Sequence, residues 1–246
     1  SALSFLGRKV LLIDMDPQGN ASSGLGLKRF EAQEANIYHV LIGDKTIAET
    51  IQSTRDDKLK LVCATSDLVG AEIELVDLPH REFRLKTALQ VVSHKFDYII
   101  IDCPPSLGLL TLNALTGADS FLVPLQCEYF ALEGLSQLLN TAGIIKKNFN
   151  PDLHIEGIVL TMFDTRNNLS HQVVSEIKTH FADKVFSAII PRNVRLSEAP
   201  SHGLSIFEYD SKSIGATKYM ELAQELDARM KLKTENKQSR SAELNV

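Results

Sequence analysis

The sequence contains no tryptophan, only three cysteines and no long apolar run. Cys63, Cys103 and Cys127 form no Cys-x-x-Cys pair, so we expect reduced core thiols in a cytosolic protein rather than a disulfide scaffold. The longest apolar runs have the length of a strand, far below the roughly 18 residues that a membrane-spanning helix needs. The 246 residues are 44% hydrophobic and 23% charged, which excludes collagen-like and wholly disordered classes.

Several catalytic motifs are also absent. A phosphate-binding loop of the form G-x-x-x-x-G-K-[S/T] needs lysine after its second glycine, and no glycine in this sequence is followed by lysine. The segment from Gly19 to Gly24 has only the glycine spacing, because Leu25 and Gly26 follow it. The sequence also lacks G-x-G-x-x-G, G-x-S-x-G and H-E-x-x-H, and its seven histidines have no metal-ligand spacing.

Short apolar runs alternate with stretches of helical periodicity along the whole chain. Apolar runs without polar alternation are typical of strands that are buried on both faces. We therefore predict an α/β fold: a single doubly wound, mostly parallel sheet with helices on both faces. The predicted strands are residues 9–14, 60–64, 98–102, 120–125, 156–161, 185–190 and, from a weaker pattern, 204–207.

One domain accounts for most of the chain, because no internal repeat or linker interrupts this alternation. The predicted domain covers residues 1–230, and residues 231–246 are predicted to form a polar, disordered tail. From Arg229 to Val246 the chain holds five Lys or Arg residues against two Asp or Glu residues. That composition is compatible with a solvated tail or with an electrostatic arm for nucleic acid.

Two predicted strands end in carboxylates, and ligands of an open parallel sheet bind beyond the carboxyl ends of its strands. The first strand continues into Asp14-Met15-Asp16-Pro17-Gln18-Gly19-Asn20. Carboxylates as close as Asp14 and Asp16 repel each other unless a cation or hydrogen-bond donors lie between them. The segment therefore indicates a functional site more than a simple turn.

The second carboxylate follows the apolar run Tyr98-Ile99-Ile100-Ile101 and is Asp102. This is the Walker B pattern, in which a buried strand delivers a carboxylate to a magnesium-bound water beside a nucleotide phosphate. Pro104 and Pro105 come shortly after it and fix a rigid turn. The pattern predicts a phosphate-handling site at this end of the sheet.

Together, residues 11–26, 96–112, 126–140, 157–164 and 191–203 resemble the ParA/Soj family of chromosome- and plasmid-partitioning ATPases, which are P-loop NTPases with a deviant Walker A loop. The resemblance extends to about Leu226 and implies ATP and Mg²⁺ as cofactors. It also implies an ATP-bound homodimer that binds DNA non-specifically, a ParB/Spo0J-like partner that triggers hydrolysis, and a cytoplasmic, nucleoid-associated location without membrane binding.

The resemblance assigns roles to the carboxylates. Asp16 matches the aspartate that orients the attacking water, and Asp14 matches the one that helps to hold the magnesium shell. Asp102 matches the Walker B aspartate and is the second residue expected at the metal.

A polar stretch at residues 191–203 is predicted to lie on the same rim of the sheet. By resemblance, Pro191 and Asn193 belong to a loop near the adenine, and Arg195 lies near positions that relatives use for DNA binding. Composition alone leaves an ordinary helix-capping loop as the alternative.

One departure from the family pattern is large. Relatives begin with a strand and a KGGxGKT[T/S] loop, whereas this sequence begins within the helix that should follow that loop. We expect about 25–30 further codons upstream of Ser1, enough for the strand, the loop and most of the helix. The alternatives are a non-enzymatic scaffold of the same family and a MinD-like membrane-associated protein. The second alternative needs a C-terminal amphipathic helix, for which the residues beyond Lys233 offer few apolar side chains.

Overall fold

The computed structural model describes residues 1–27 and 34–243, in which helices and strands alternate. The strands are β1 (Val10–Asp14), β2 (Ile51–Ser53), β3 (Leu59–Val62), β4 (Tyr98–Asp102), β5 (Ser120–Gln126) and β6 (His154–Thr161). The α-helices are α1 (Ala2–Phe5), α2 (Asn20–Gly24), α3 (Ile37–Ile42), α4 (Ile47–Thr50), α5 (Leu68–Glu74), α6 (Arg84–Leu89), α7 (Leu109–Gly117), α8 (Ala131–Asn148), α9 (Asn168–Phe181), α10 (Val194–Glu198), α11 (Ile206–Asp210) and α12 (Ile214–Glu243). Short 3-10 turns occupy Leu75–Asp77, Arg81–Phe83, Ser93–Lys95, Ala182–Lys184 and Ala199–His202.

Strand β1 lies inside a four-stranded sheet of order β2-β3-β1-β4. It pairs in parallel with β3 and with β4, and β2 alone runs antiparallel in this sheet. Leu11 and Ile13 pack into the core on one face of β1, while Val10 packs on the other. Burial on both faces explains the uninterrupted apolar sequence and confirms the predicted mostly parallel α/β fold.

The prediction of a single sheet is wrong for the described residues, because β5 and β6 form a second parallel sheet of their own. Within residues 1–27 and 34–243, no strand pairs with the outer edge of β4 or of β5, so no backbone ladder joins the two sheets. The predicted strand at residues 185–190 forms only isolated bridges, between Ile158 and Val185 and between Phe163 and Pro191.

Two apolar cores correspond to the two sheets. The larger core packs the four-stranded sheet against α3, α5, α6 and α7, and the other packs β5 and β6 against α8 and α9. All three cysteines are free thiols; Cys63 and Cys127 are buried as predicted, whereas Cys103 is only half-buried.

Helix α12 contacts both sheets. Asp227 accepts hydrogen bonds from the guanidinium of Arg8 and from the hydroxyl of Tyr98, which begins β4. Half a turn earlier, Glu225 accepts a hydrogen bond from the backbone N–H of Ser187, in the segment that bridges to β6. The helix therefore holds together two sheets that share no ladder.

Two further segments differ from prediction. Helix α12 continues to Glu243, where a disordered tail from residue 231 was expected, because residues 231–243 contain no glycine or proline and are rich in helix-forming residues. The last three residues of that tail lie outside the described residues. The strand expected at residues 204–207 is absent from the described structure, since Ser205 and Glu208 form a capping box that begins α11. No described helix is both long and apolar enough to cross a bilayer.

Candidate functional site

Strands β1 and β4 bring two predicted carboxylates to one edge of the sheet. Asp14 and Asp102 are register partners at the carboxyl ends of these adjacent strands. The backbone N–H of Met15 donates to the carbonyl oxygen of Asp102 at 2.8 Å, which extends the pairing by one residue. Asp16 follows in the turn. The structure thus places both predicted carboxylate motifs at a common site, as expected of a parallel sheet.

The carboxylate of Asp14 is fully buried and hydrogen-bonded. Its Oδ2 accepts from the backbone N–H of Ser22 at 2.8 Å and from the Ser22 Oγ at 2.7 Å, and its Oδ1 accepts from the N–H of Asp16 at 3.1 Å. The Ser22 hydroxyl also accepts from the N–H of Ala64, after β3, at 3.1 Å. Donors therefore stabilise the Asp14 charge, and Asp14 holds the shape of the turn. No sequence pattern singles out Ser22 for this role.

Asp102 is in a different environment, because the residue reaches solvent at the sheet edge although its neighbours desolvate part of its carboxylate. Within the described ranges, no hydrogen-bond donor contacts its carboxylate. Desolvation, with repulsion from Asp14 and Asp16, raises the pKa of Asp102 to about 6. A carboxylate whose charged form is disfavoured in this way is stabilised when a cation or a donor approaches.

Magnesium fits this arrangement only with help from other ligands. Among the described residues, no three His, Cys, Asp or Glu side chains are grouped closely enough to hold a metal ion. Mg²⁺ commonly uses one or two carboxylates and completes its octahedral shell with waters and phosphate oxygens. Asp102 is suited to that role, because its carboxylate has no competing hydrogen bond from the described part of the chain.

The turn that carries Asp16 is fixed by its own backbone. The Oδ1 of Asp16 accepts from the N–H of Gln18, and its carbonyl oxygen accepts from the N–H of Gly19, both at 2.9 Å. Gly19 has a left-handed φ of 64°, and a Cβ added there would lie 3.1 Å from the carbonyl oxygen of Ala64. The position favours glycine and keeps the half-buried Asp16 side chain at the sheet edge, where a carboxylate can accept a proton from water.

The polar loop at residues 191–203 packs against α2, which follows the Asp16 turn. A Cβ added to Gly203 would lie 2.6 Å from the Cα of Gly26, and both glycines have positive φ. This close approach places the end of the loop beside the C-terminal end of α2, and the common rim stays a prediction.

Within this loop, Asn193 caps α10 by accepting from the N–H of Leu196 at 3.3 Å. Pro191 takes part in the bridge to the residues after β6. The exposed guanidinium of Arg195 lies 2.9 Å from Glu198 and 3.5 Å from Asp210. The capping alternative is confirmed for Asn193. The nucleotide role of Pro191 and Asn193 and the DNA role of Arg195 stay predictions.

The mostly parallel α/β fold, with Asp102 at the end of β4 and the Asp14–Asp16 turn beside it, is similar to that of P-loop NTPases. A family model described as "AAA domain" matches residues 1–155. The chain belongs to the ParA/Soj family of chromosome-partitioning ATPases.

The relatives resemble this chain over most of their length. The sporulation initiation inhibitor protein Soj of Bacillus subtilis is 54% identical, over 93% of this chain and 90% of that protein. The chromosome partitioning protein ParA of Myxococcus xanthus is 56% identical, over 92% of this chain and 80% of that protein. Among solved structures, cobyrinic acid a,c-diamide synthase from Mycobacterium smegmatis with bound ADP and magnesium has a TM-score of 0.80 and 37% identity, covering 94% of this chain and 86% of that one.

Proposed function

We propose that this protein is a partitioning ATPase that binds ATP and Mg²⁺ at the edge formed by β1 and β4. Its ATP-bound form is a homodimer that binds DNA non-specifically in the cytoplasm, on the nucleoid, without binding membranes. A ParB-like partner stimulates hydrolysis and thereby releases the dimer during chromosome or plasmid segregation. The observation that carries the proposal is the register pairing of Asp14 with Asp102, with Asp16 in the turn that follows.

Each carboxylate has its own part in this proposal. Bound magnesium supplies positive charge that stabilises the phosphates during phosphoryl transfer. Asp102 holds the metal or a water bound to it, and Asp14 supports the metal shell by fixing the turn through Ser22. Asp16, anchored at one oxygen by Gln18, orients the attacking water with its other oxygen. Pro191 and Asn193 lie beside the adenine.

Phosphate release by the protein tests the role of Asp16. In the presence of DNA and the ParB-like partner, Asp16→Ala should abolish turnover while ATP-dependent DNA binding persists. The substitution removes only the group that orients the attacking water. Asp152→Ala, which removes an exposed carboxylate distant in sequence from the site, is the matched control and should keep wild-type turnover. Stimulated turnover that survives in Asp16→Ala would contradict the assignment.

The salt dependence of DNA binding tests Arg195. DNA binding by the ATP-bound form should weaken steeply with salt, because neutralised phosphates release counterions. If Arg195 leaves its ion pairs with Glu198 and Asp210 to bind a DNA phosphate, Arg195→Ala should change the slope of the plot of log affinity against log salt concentration. The magnitude of the slope should fall by about one. Arg166→Ala removes another exposed, carboxylate-paired arginine and serves as the control. An unchanged slope would remove Arg195 from the interface.

Two binding measurements distinguish the proposed ATPase from the other candidates. Calorimetric titration with Mg-ATP should show micromolar binding, whereas no binding would favour a non-enzymatic scaffold. Co-sedimentation with anionic liposomes that persists at high salt would favour a MinD-like membrane protein, because insertion of an amphipathic helix is less salt-sensitive than charge attraction.

A further inference from the structure

Helix α5 and the turn after it carry an apolar ridge on their solvent side. Val69, Ile73 and Val76 are 56%, 73% and 51% exposed, and their spacing of four and three residues places them in one line. Leu68 and Leu75, on the opposite side, are completely buried in the larger core. The segment is therefore apolar on two faces, of which only the inner one is covered by the described residues.

Acidic side chains border the ridge formed by Val69, Ile73 and Val76. Helical periodicity places Glu72 on one side of this ridge and Asp77 and Glu74 on the other. Glu74 is engaged by the hydroxyl of Tyr38 at 3.1 Å. Burial and this hydrogen bond raise the pKa of Tyr38, and the carboxylate of Asp44 adds to the effect. The segment therefore carries acidic side chains on both sides of the ridge.

Positive charge is scarce along the same segment. Residues 65–82 contain five acidic residues and a single basic one, Arg81. Arg81 donates to the carbonyl oxygen of Val76 and lies 3.2 Å from Glu82, so its charge is already compensated. An occupant of the ridge therefore meets apolar side chains flanked by carboxylates.

We propose that this ridge docks a basic amphipathic helix of a partner protein, with apolar residues on Ile73 and its neighbours and Lys or Arg facing Glu72 and Asp77. The ridge spans eight residues, about 12 Å at 1.5 Å per residue, which matches two turns of a partner helix. A second copy of this chain is disfavoured, because pairing two such ridges would oppose like charges.

The ridge also borders the loop that follows Asp102. The carboxylate of Glu72 lies against Gly108, the residue before α7. A lysine or arginine of the partner that attracts Glu72 would change the contact between Glu72 and this loop. This regulatory consequence rests on the proposed ATPase function. The docking itself needs no nucleotide, so the two proposals can fail separately.

Designed peptides test the docking. The probe is a fluorescent 18-residue peptide with leucine and lysine in amphipathic helical spacing, and the comparison peptide replaces lysine with glutamate. Fluorescence anisotropy should show that the 246-residue chain binds the leucine–lysine peptide and does not bind the leucine–glutamate peptide. In NMR spectra, the amide shifts caused by the bound peptide should cluster at residues 67–78. Ile73→Ser should weaken binding at least ~10-fold, and Glu72→Gln with Asp77→Asn should remove most of its salt dependence.

Matched variants separate this surface from general attraction to an acidic protein. Val91→Ser and Glu176→Gln alter an exposed apolar and an exposed acidic residue elsewhere and should keep wild-type affinity. The docking proposal is overturned if these controls weaken binding as much as Ile73→Ser, or if the leucine–glutamate peptide binds equally well. It is also overturned if sedimentation shows a dimer that Ile73→Ser dissociates, because the occupant is then a second copy. Thermal melting verifies that every variant is folded.

Discussion

Ser22 donates both its backbone N–H and its hydroxyl to the same oxygen of Asp14, at 2.8 and 2.7 Å. Its hydroxyl also accepts from the N–H of Ala64, so one side chain connects the ends of β1 and β3 with α2. Because these groups are buried, water cannot replace a lost partner. This hydroxyl therefore helps to hold the turn that carries Asp16 against the end of β3.

Replacing this hydroxyl should destabilise the fold. We expect Ser22→Ala to lower the free energy of unfolding by about 1–3 kcal/mol, because Asp14 loses a donor and the Ala64 N–H is left unsatisfied. Urea denaturation measures the change. Ser23→Ala is the control, since the exposed Ser23 hydroxyl makes only a 3.3 Å contact to Asn20, and it should change stability by less than about 0.5 kcal/mol. Equal losses in both variants would contradict the role of Ser22.

Side chains should be poorly tolerated where Gly203 meets Gly26. Gly203→Ala forces a Cβ to within 2.6 Å of the Gly26 Cα at a φ of 62°, so we expect a loss of at least ~2 kcal/mol from strain and overpacking. Thermal unfolding measures it. Gly143→Ala, in α8, meets no atom within 4 Å and should stabilise by about 0.5–1 kcal/mol. Similar melting temperatures for the two variants would contradict the close approach.

Local sequence patterns were sufficient for the strands that carry the site. Strand β4 has its predicted bounds, and β1 ends at Asp14 as predicted, because an uninterrupted apolar run has few alternatives to a buried strand. The sequence could not reveal Ser22 or Asp227 in the same way. Their partners lie in remote segments, and no local periodicity marks a serine or an aspartate that becomes buried when two elements meet.

Sheet pairing was the weakest part of the prediction. Val185 and Ile190 are buried, as their apolar character indicates, yet they form no regular ladder. Apolar content predicts burial, whereas a ladder also requires a neighbouring edge in the correct register. Because apolar content does not show which edges pair, the sequence predicts a single sheet where the described residues form two.

The pH dependence of stability should report on Asp102. Its pKa is raised from 3.8 to about 6, so between these values the folded protein holds a proton that the unfolded chain has released. Stability from this group is therefore lost as pH rises through that window, and ionised Asp102 is destabilising at pH 7. We expect Asp102→Asn to melt at a higher temperature than wild type at pH 7 and at the same temperature near pH 4. Asp152→Asn should show no such pH-dependent gain, and a gain for Asp102→Asn that is equal at both pH values would exclude an effect of charge.

Asp227 should show the opposite dependence. Donors from Arg8, Tyr98 and Lys231 hold its pKa well below the usual range, with the Arg8 hydrogen bond contributing most. A lowered pKa gives stability that is fully present above about pH 4 and is lost as pH falls further. Because Asp227 is only 8% exposed, Asp227→Asn should cost about 2–3 kcal/mol at pH 7 in urea denaturation, and the difference from wild type should shrink toward pH 3.

An exposed ion pair on the same helix provides the control for Asp227. Glu221→Gln removes the partner of Lys218, 2.7 Å away at the surface, and should change stability by less than about 0.5 kcal/mol at either pH, because water screens exposed pairs. If Asp227→Asn instead costs the same amount at pH 7 and at pH 3, the carboxylate acts through packing. The connection that α12 makes to β4 would then not depend on the charge of Asp227.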